Sequence, residues 1–171
     1  MQVVKRTVGG LLLLILSLWI FAPKEEIYYL LEKRLSQSDI VISNEQIKDT
    51  LFGLEILDAD IYLKGIKVAK VGSMKLNIFF LYNNLEISSV ITDKGIANFA
   101  PKSINRLDAT FSVLKPYKIA IEGNGSFGEV TGGLYWTQRK LLLRFSNIKD
   151  IQPFKKFLKK DKKGLYYEKK Y

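Results

Sequence analysis

Cysteine and histidine are both absent from this chain of 171 residues. Their absence excludes disulfides, a thiol nucleophile, an imidazole base, haem held through histidine and zinc held by its ordinary ligands. Serine-histidine-aspartate and cysteine-histidine hydrolysis fall with the same counts. Proline is scarce, at four residues, and only one long uncharged apolar run occurs. What remains is 47% apolar and 26% charged, enough to bury a core in one domain and too apolar for a disordered chain.

The net charge of +10 is unevenly spread. Residues 1–22 and residues 23–148 carry +2 each, whereas residues 149–171 carry nine lysines against Asp150, Asp161 and Glu168. The densest positive stretch has no arginine to clamp a phosphate or read a base edge, so nucleic acid is not the expected partner. Solvent or anionic lipid headgroups suit such a tail better.

From Thr7 to Pro23 the chain has 17 residues without a charge, after Lys5 and Arg6. That is the lower limit for crossing a hydrocarbon core of roughly 30 Å. Cleavage as a signal peptide would need small residues at −3 and −1, but a cut after Ala22 puts Ile20 at −3 and Pro23 at +1. An uncleaved single-pass signal anchor is therefore expected over 7–23, after a cytoplasmic basic tip at 1–6. Beyond it, Lys24 to Leu35 carries three bases and three acids, so the positive-inside rule keeps the N-terminus cytoplasmic. The main body is then exported, to the periplasmic side of a bacterial inner membrane.

Pro23-Lys-Glu-Glu is a helix start, with proline first and acids in the first turn. Ile27, Leu30, Leu31, Arg34 and Leu35 form a one-sided stripe, which predicts an amphipathic helix over 24–37. The period then changes to two over 38–148. Ile40 and Ile42 begin a short strand, and residues 52–64 read as a long one with a phase change near Leu57. Gly65 and Gly72 punctuate the next strands, Tyr82-Asn-Asn reads as a hairpin turn, and residues 95–103 read as loop. Strands around Leu107–Val113 and Ile119–Ile121 follow, then Gly123-Asn-Gly and a hairpin turning at Gln138-Arg139. The expectation is a mainly β protein: a curved antiparallel meander or half-barrel behind an N-terminal transmembrane helix and a short amphipathic one. In 149–171, Ile151, Phe154, Phe157 and Leu158 share a helical face, and Leu165–Tyr171 reads as an edge strand.

No motif supports an enzyme, a cofactor or a metal site. Asp58 and Asp60 lie two apart on a strand without a third ligand and read as solvated side chains. The glycines of GNGSFGEVTGG precede a strand instead of a helix, which argues for turns and bends over a phosphate loop. The apolar face expected to form a groove is set by Ile78, Phe80, Ile87, Phe111, Leu134, Trp136, Leu143 and Phe145. Lys155, Lys156, Lys159 and Lys160 are the expected headgroup contacts.

In the segments APKEEIYYLLEKRL, LFGLEILDADIYLKGIKVAKVGSMKLNI, GNGSFGEVTGGLYW and FKKFLKKDKKGLYYE the chain resembles type II secretion system protein N, whose sheets are related to those of AsmA-like lipid-transfer proteins. The resemblance implies an inner-membrane accessory component of a secretion assembly without catalytic residues, with other envelope proteins as partners. The kinship with lipid conduits, and with the single-anchor jellyroll component of lipopolysaccharide transport, implies instead an apolar sheet face that takes acyl chains.

Overall fold

A computed structural model describes residues 2–20, 24–79, 81–96 and 98–171. Two helices, α1 (Gln2–Ile20) and α2 (Lys24–Ser36), precede eleven strands. These are β1 (Ile40–Ser43), β2 (Gln46–Thr50), β3 (Gly53–Leu63), β4 (Ile66–Phe79), β5 (Tyr82–Thr92) and β6 (Ser103–Ser112). They continue with β7 (Lys118–Gly125), β8 (Gly128–Tyr135), β9 (Lys140–Ser146), β10 (Lys159–Asp161) and β11 (Gly164–Lys170). All pair antiparallel in one open sheet, ordered β1-β3-β4-β5-β6-β7-β8-β9-β11-β10, with β2 sharing the outer edge of β3.

The meander follows from its alternation. Cross-strand registers line up Leu54, Leu76, Leu85, Ala109, Ile121, Gly132, Leu143 and Tyr167 as one row on one face. The next row on that face runs Ile56, Met74, Ile87, Leu107, Gly123, Val130, Phe145 and Leu165. Between these rows, on the opposite face, run Glu55, Lys75, Glu86, Asp108, Glu122, Thr131 and Arg144. Side-chain period two thus yields one apolar and one charged face. On the charged face, Arg106 bridges Asp108 at 2.7 Å and Glu86 at 3.0 Å.

The phase change expected near Leu57 occurs one residue later and crosses several strands. Asp58 and Ser89 are left-handed, at φ 56° and 55°, and the flanking pairs place Gly72 between them. In the next strand a register shift between Ile104 and Arg106 continues the line. Strands β3 to β6 change phase at the same level. Leu54 and Ile56 before the line therefore share a core with Ala59, Val71 and Val90 beyond it. A flip in one strand alone would turn its apolar set to solvent. Gly72 is no turn: β4 runs through it, and a Cβ there would lie 2.8 Å from that of Ser89.

Two elements cover the apolar face. Helix α2 carries Glu25 and Glu26 in its first turn and Lys33 and Arg34 in its last, matching the helix dipole. It runs along the sheet, from Lys24, whose Nζ donates to the Thr50 carbonyl at 2.8 Å, to Asp39, whose carbonyl accepts from the Lys64 amide at 2.8 Å. Tyr28 of α2 is buried in the first core. The second core is Phe127, Val130 and Ile151, with Leu143, Phe145, Leu158 and Leu165 packed on it.

Several expectations are corrected. Helix α1 starts early enough to include Lys5 and Arg6, leaving only Thr7–Ile20 uncharged within it. Those residues rise about 21 Å, and the rest of the expected span, 21–23, lies outside the described residues. Among the described residues, no helix is long and apolar enough to cross a membrane. The C-terminal amphipathic helix is a 3-10 turn, Gln152–Phe157, ended by extended Leu158. Extended Leu158 and the capture of Lys159–Asp161 as strand β10 beside β11 stop the helix at six residues. Tyr82, Asn83 and Asn84 lie inside β5, not in a turn, and Asn83 Oδ1 accepts the Phe79 amide at 2.9 Å. The turn expected at Gly123-Asn-Gly falls at Ser126-Phe127, between paired Gly125 and Gly128.

Candidate functional site

The apolar face is not filled by its own side chains everywhere. Between α2 and strands β3, β4 and β5 lies a cavity of about 200 Å³. Tyr28, Leu31 and Leu35, at spacings of three and four, form its roof. Leu54, Ile56, Met74, Leu76, Ile78 and Leu85 form its floor, and Ile42 and Gly53 close its margin. A Cβ on Gly53 would collide with the Leu76 carbonyl, so glycine permits the close strand pairing at that margin.

The polar ends in the lining are turned away to partners. Lys24 is held at the Thr50 carbonyl, and the Tyr28 hydroxyl donates to Glu45 Oε1 at 3.1 Å. Burial, followed by the Glu45 charge, raises the Tyr28 pKa well above the ordinary phenol value, so the hydroxyl stays neutral. The walls are therefore dry and uncharged. An apolar cavity of roughly 150 Å³ stays free of water and takes up benzene, so this one has room for an aromatic ring or a short stretch of acyl chain.

Registers bring six of the eight expected groove residues onto the apolar face, but only Ile78 lines the cavity. Ile87 packs on the first core. Leu143 and Phe145 belong to the second, with Phe145 edge-on to Phe127 at 5.9 Å. Phe111 and Leu134, joined through Ile119, are half-buried between the two cores. Trp136 lies in the β8–β9 turn and is exposed, while Phe80 lies outside the described residues. Tyr28 lies outside the expected stripe, and its burial is set by the sheet beneath it. Leu31 and Leu35 were already in that stripe.

The four expected headgroup lysines do not form one patch near the groove. Lys156 Nζ sits 5.2 Å from the Phe99 ring, against the β5–β6 loop, and Lys159 Nζ is 4.0 Å from Glu168. Lys155 and Lys160 are exposed on the 3-10 turn and on edge strand β10.

Asp58 and Asp60 differ from the shared solvated reading. Asp58 is exposed, 3.4 Å from Lys70, but Asp60 is buried. Hydrogen bonds from Lys67 at 2.7 Å and Asn44 at 3.0 Å hold the Asp60 carboxyl below its usual range. This is a structural ion pair between β3 and β4, with Asn44 tying the β1–β2 turn to it. The described residues contain no cluster of three acidic, histidine or cysteine ligands.

No protein-family model matches the chain, and no match is found among curated proteins or solved structures.

Proposed function

We propose that this protein is a non-enzymatic lipid-handling sheet held at a membrane, with an acyl segment lying in the cavity under α2. The observation that carries this reading is the cavity: about 200 Å³, walled by aliphatic side chains, with both polar ends in its lining already bonded elsewhere. The strip between the two cores, including Phe111, Ile119 and Leu134, continues the apolar surface beyond the cavity.

In this reading α1 attaches the protein to the bilayer. Its described side chains are exposed apart from Gly9, and they include Val8, Leu11, Leu13, Leu14 and Leu16. Lys5 and Arg6 reach headgroups by snorkelling. The attachment is to a bacterial inner membrane, with the sheet on the periplasmic side.

The test is a photo-crosslinking amino acid at Leu76 or Leu85 in cells, with Ser88, on the charged face, as the control. Lipid adducts at the first two and none at Ser88 are expected. Adducts to secretion components at Leu76 and Leu85 would replace this reading with an accessory role in a type II secretion-type assembly. Adducts confined to the chain itself would make the cavity an inert packing defect.

A further inference from the structure

The turns at one end of the sheet are stitched edge to edge by backbone hydrogen bonds. The Ile78 amide donates to the Phe52 carbonyl at 2.7 Å, Val113 to Leu81 at 3.0 Å, Trp136 to Tyr117 at 3.1 Å and Tyr171 to Arg139 at 3.0 Å. This ordered rim exposes large apolar side chains at its tips. Leu114 is 90% exposed and Leu81 62%, and Tyr82, Tyr117 and Trp136 are also exposed. The described turn residues at this end with the strand ends that flank them, 50–53, 79, 81–82, 112–118 and 135–140, contain Lys115, Lys118, Arg139 and Lys140 and no carboxylate side chain. Asp49 is the nearest acid along the chain before them.

Two further observations point to a lipid surface. Helix α2 begins at this rim, since Lys24 is bonded to Thr50. The end of α1 at Ile20 is four residues from Lys24, so it lies within about 14 Å of that lysine. Beside Leu114, a cavity of about 400 Å³ is lined by Thr110, Ser112, Lys115, Lys118 and Glu122. Two ammonium groups and two hydroxyls suit a phosphate oxygen, and Glu122 adds an acceptor for a headgroup donor.

We propose that this rim docks on an anionic bilayer. Leu81, Leu114 and Trp136 enter the acyl boundary, and Lys115, Lys118, Arg139 and Lys140 meet the headgroups. Trp and Tyr favour this depth because their rings are apolar while their N–H and O–H groups remain wet. The inference does not depend on the groove being filled.

Because the chain has no cysteine, Leu114→Cys and Phe99→Cys each give one labelling site. Each full-length variant carries an environment-sensitive dye and is mixed with vesicles of phosphatidylcholine containing a quarter phosphatidylglycerol. The dye at Leu114 should shift to the blue and brighten at least twofold, and the dye at Phe99, on the β5–β6 loop, should not. On pure phosphatidylcholine the Leu114 response should fall at least threefold. An unchanged Leu114 dye on protein that cosediments with the vesicles overturns the inference, as does an equal response at Phe99. Lipid crosslinking at Leu85 reads the groove separately, so either idea can fail without the other.

Discussion

The two ends of the sheet are built from the same kind of connection and carry different chemistry. At one end, short turns joined by backbone hydrogen bonds hold Leu81, Leu114, Tyr117 and Trp136 outward beside Lys115, Lys118, Arg139 and Lys140, with Asp49 and Glu122 as the flanking acids. At the other, the β3–β4 turn, the β5–β6 loop and the segment after β9 mix signs, and Lys102 pairs with Asp150 at 2.7 Å. Exposed apolar side chains occur there too, including Ile66, Ile91 and Phe99. Exposed apolar surface alone therefore does not separate the ends; its combination with an excess of positive charge in the turns does. An anionic surface rewards that combination, at about 1 kcal/mol per base near the headgroups.

Reversing charge at each end breaks the comparison most directly. Lys115→Glu, Lys118→Glu, Arg139→Glu and Lys140→Glu together should cut the Leu114 dye response on anionic vesicles at least threefold, with α1 still holding the protein to them. The same reversal at Lys155, Lys156, Lys159 and Lys160 should change it less than threefold. Equal losses would make the interaction one of net charge. Next in size, Tyr28→Ala empties the roof of the groove and should cost about 2–4 kcal/mol in urea unfolding. Tyr28→Phe removes only the bond to Glu45 and should cost about 1 kcal/mol at neutral pH.

That variant also reports on pH. The folded-state pKa of Tyr28 lies above its unfolded value near 10, so its contribution is complete below pH 10 and declines as pH rises beyond it. Alkaline unfolding of Tyr28→Phe should show a shallower loss above pH 10 than the parent chain. Asp60 has the opposite sign. Its folded pKa is depressed, mainly by Lys67, so its contribution is present above about pH 4 and lost as pH falls further. Asp60→Asn should flatten the acid limb of the stability profile. Smallest of all, Leu114→Ser should leave fold stability within about 0.5 kcal/mol while reducing vesicle binding, since that side chain packs on nothing that unfolding would expose.

Much of the fold was legible because period two is a local signal. Ile78, Ile87, Phe111, Leu134, Leu143 and Phe145 could be assigned to one face from alternation, and registers place them there. Helix α2 was legible from Glu25, Glu26 and the leucine stripe. Strand β2 was not, because QIKDT puts a single half-buried isoleucine on an edge and leaves no alternation to detect. The C-terminal segment misled because Ile151, Phe154, Phe157 and Leu158 fit a helical face as written. Pairing of Lys159–Asp161 with β11 is a contact between residues that the local pattern does not relate.

By itself, the sequence determined the class of this protein. Its alternation yields a two-faced antiparallel sheet, because that depends on residue type and on neighbours two positions away. Only the tertiary structure decided where the apolar face is covered, where the cavity is left and which turns share an end. The level line through Asp58, Gly72 and Ser89, the seat of Tyr28 over β3 and β4 and the rim from Phe52 to Tyr171 all depend on strand register. Register is fixed by the summed packing of residues far apart in the chain, so no local window contains it.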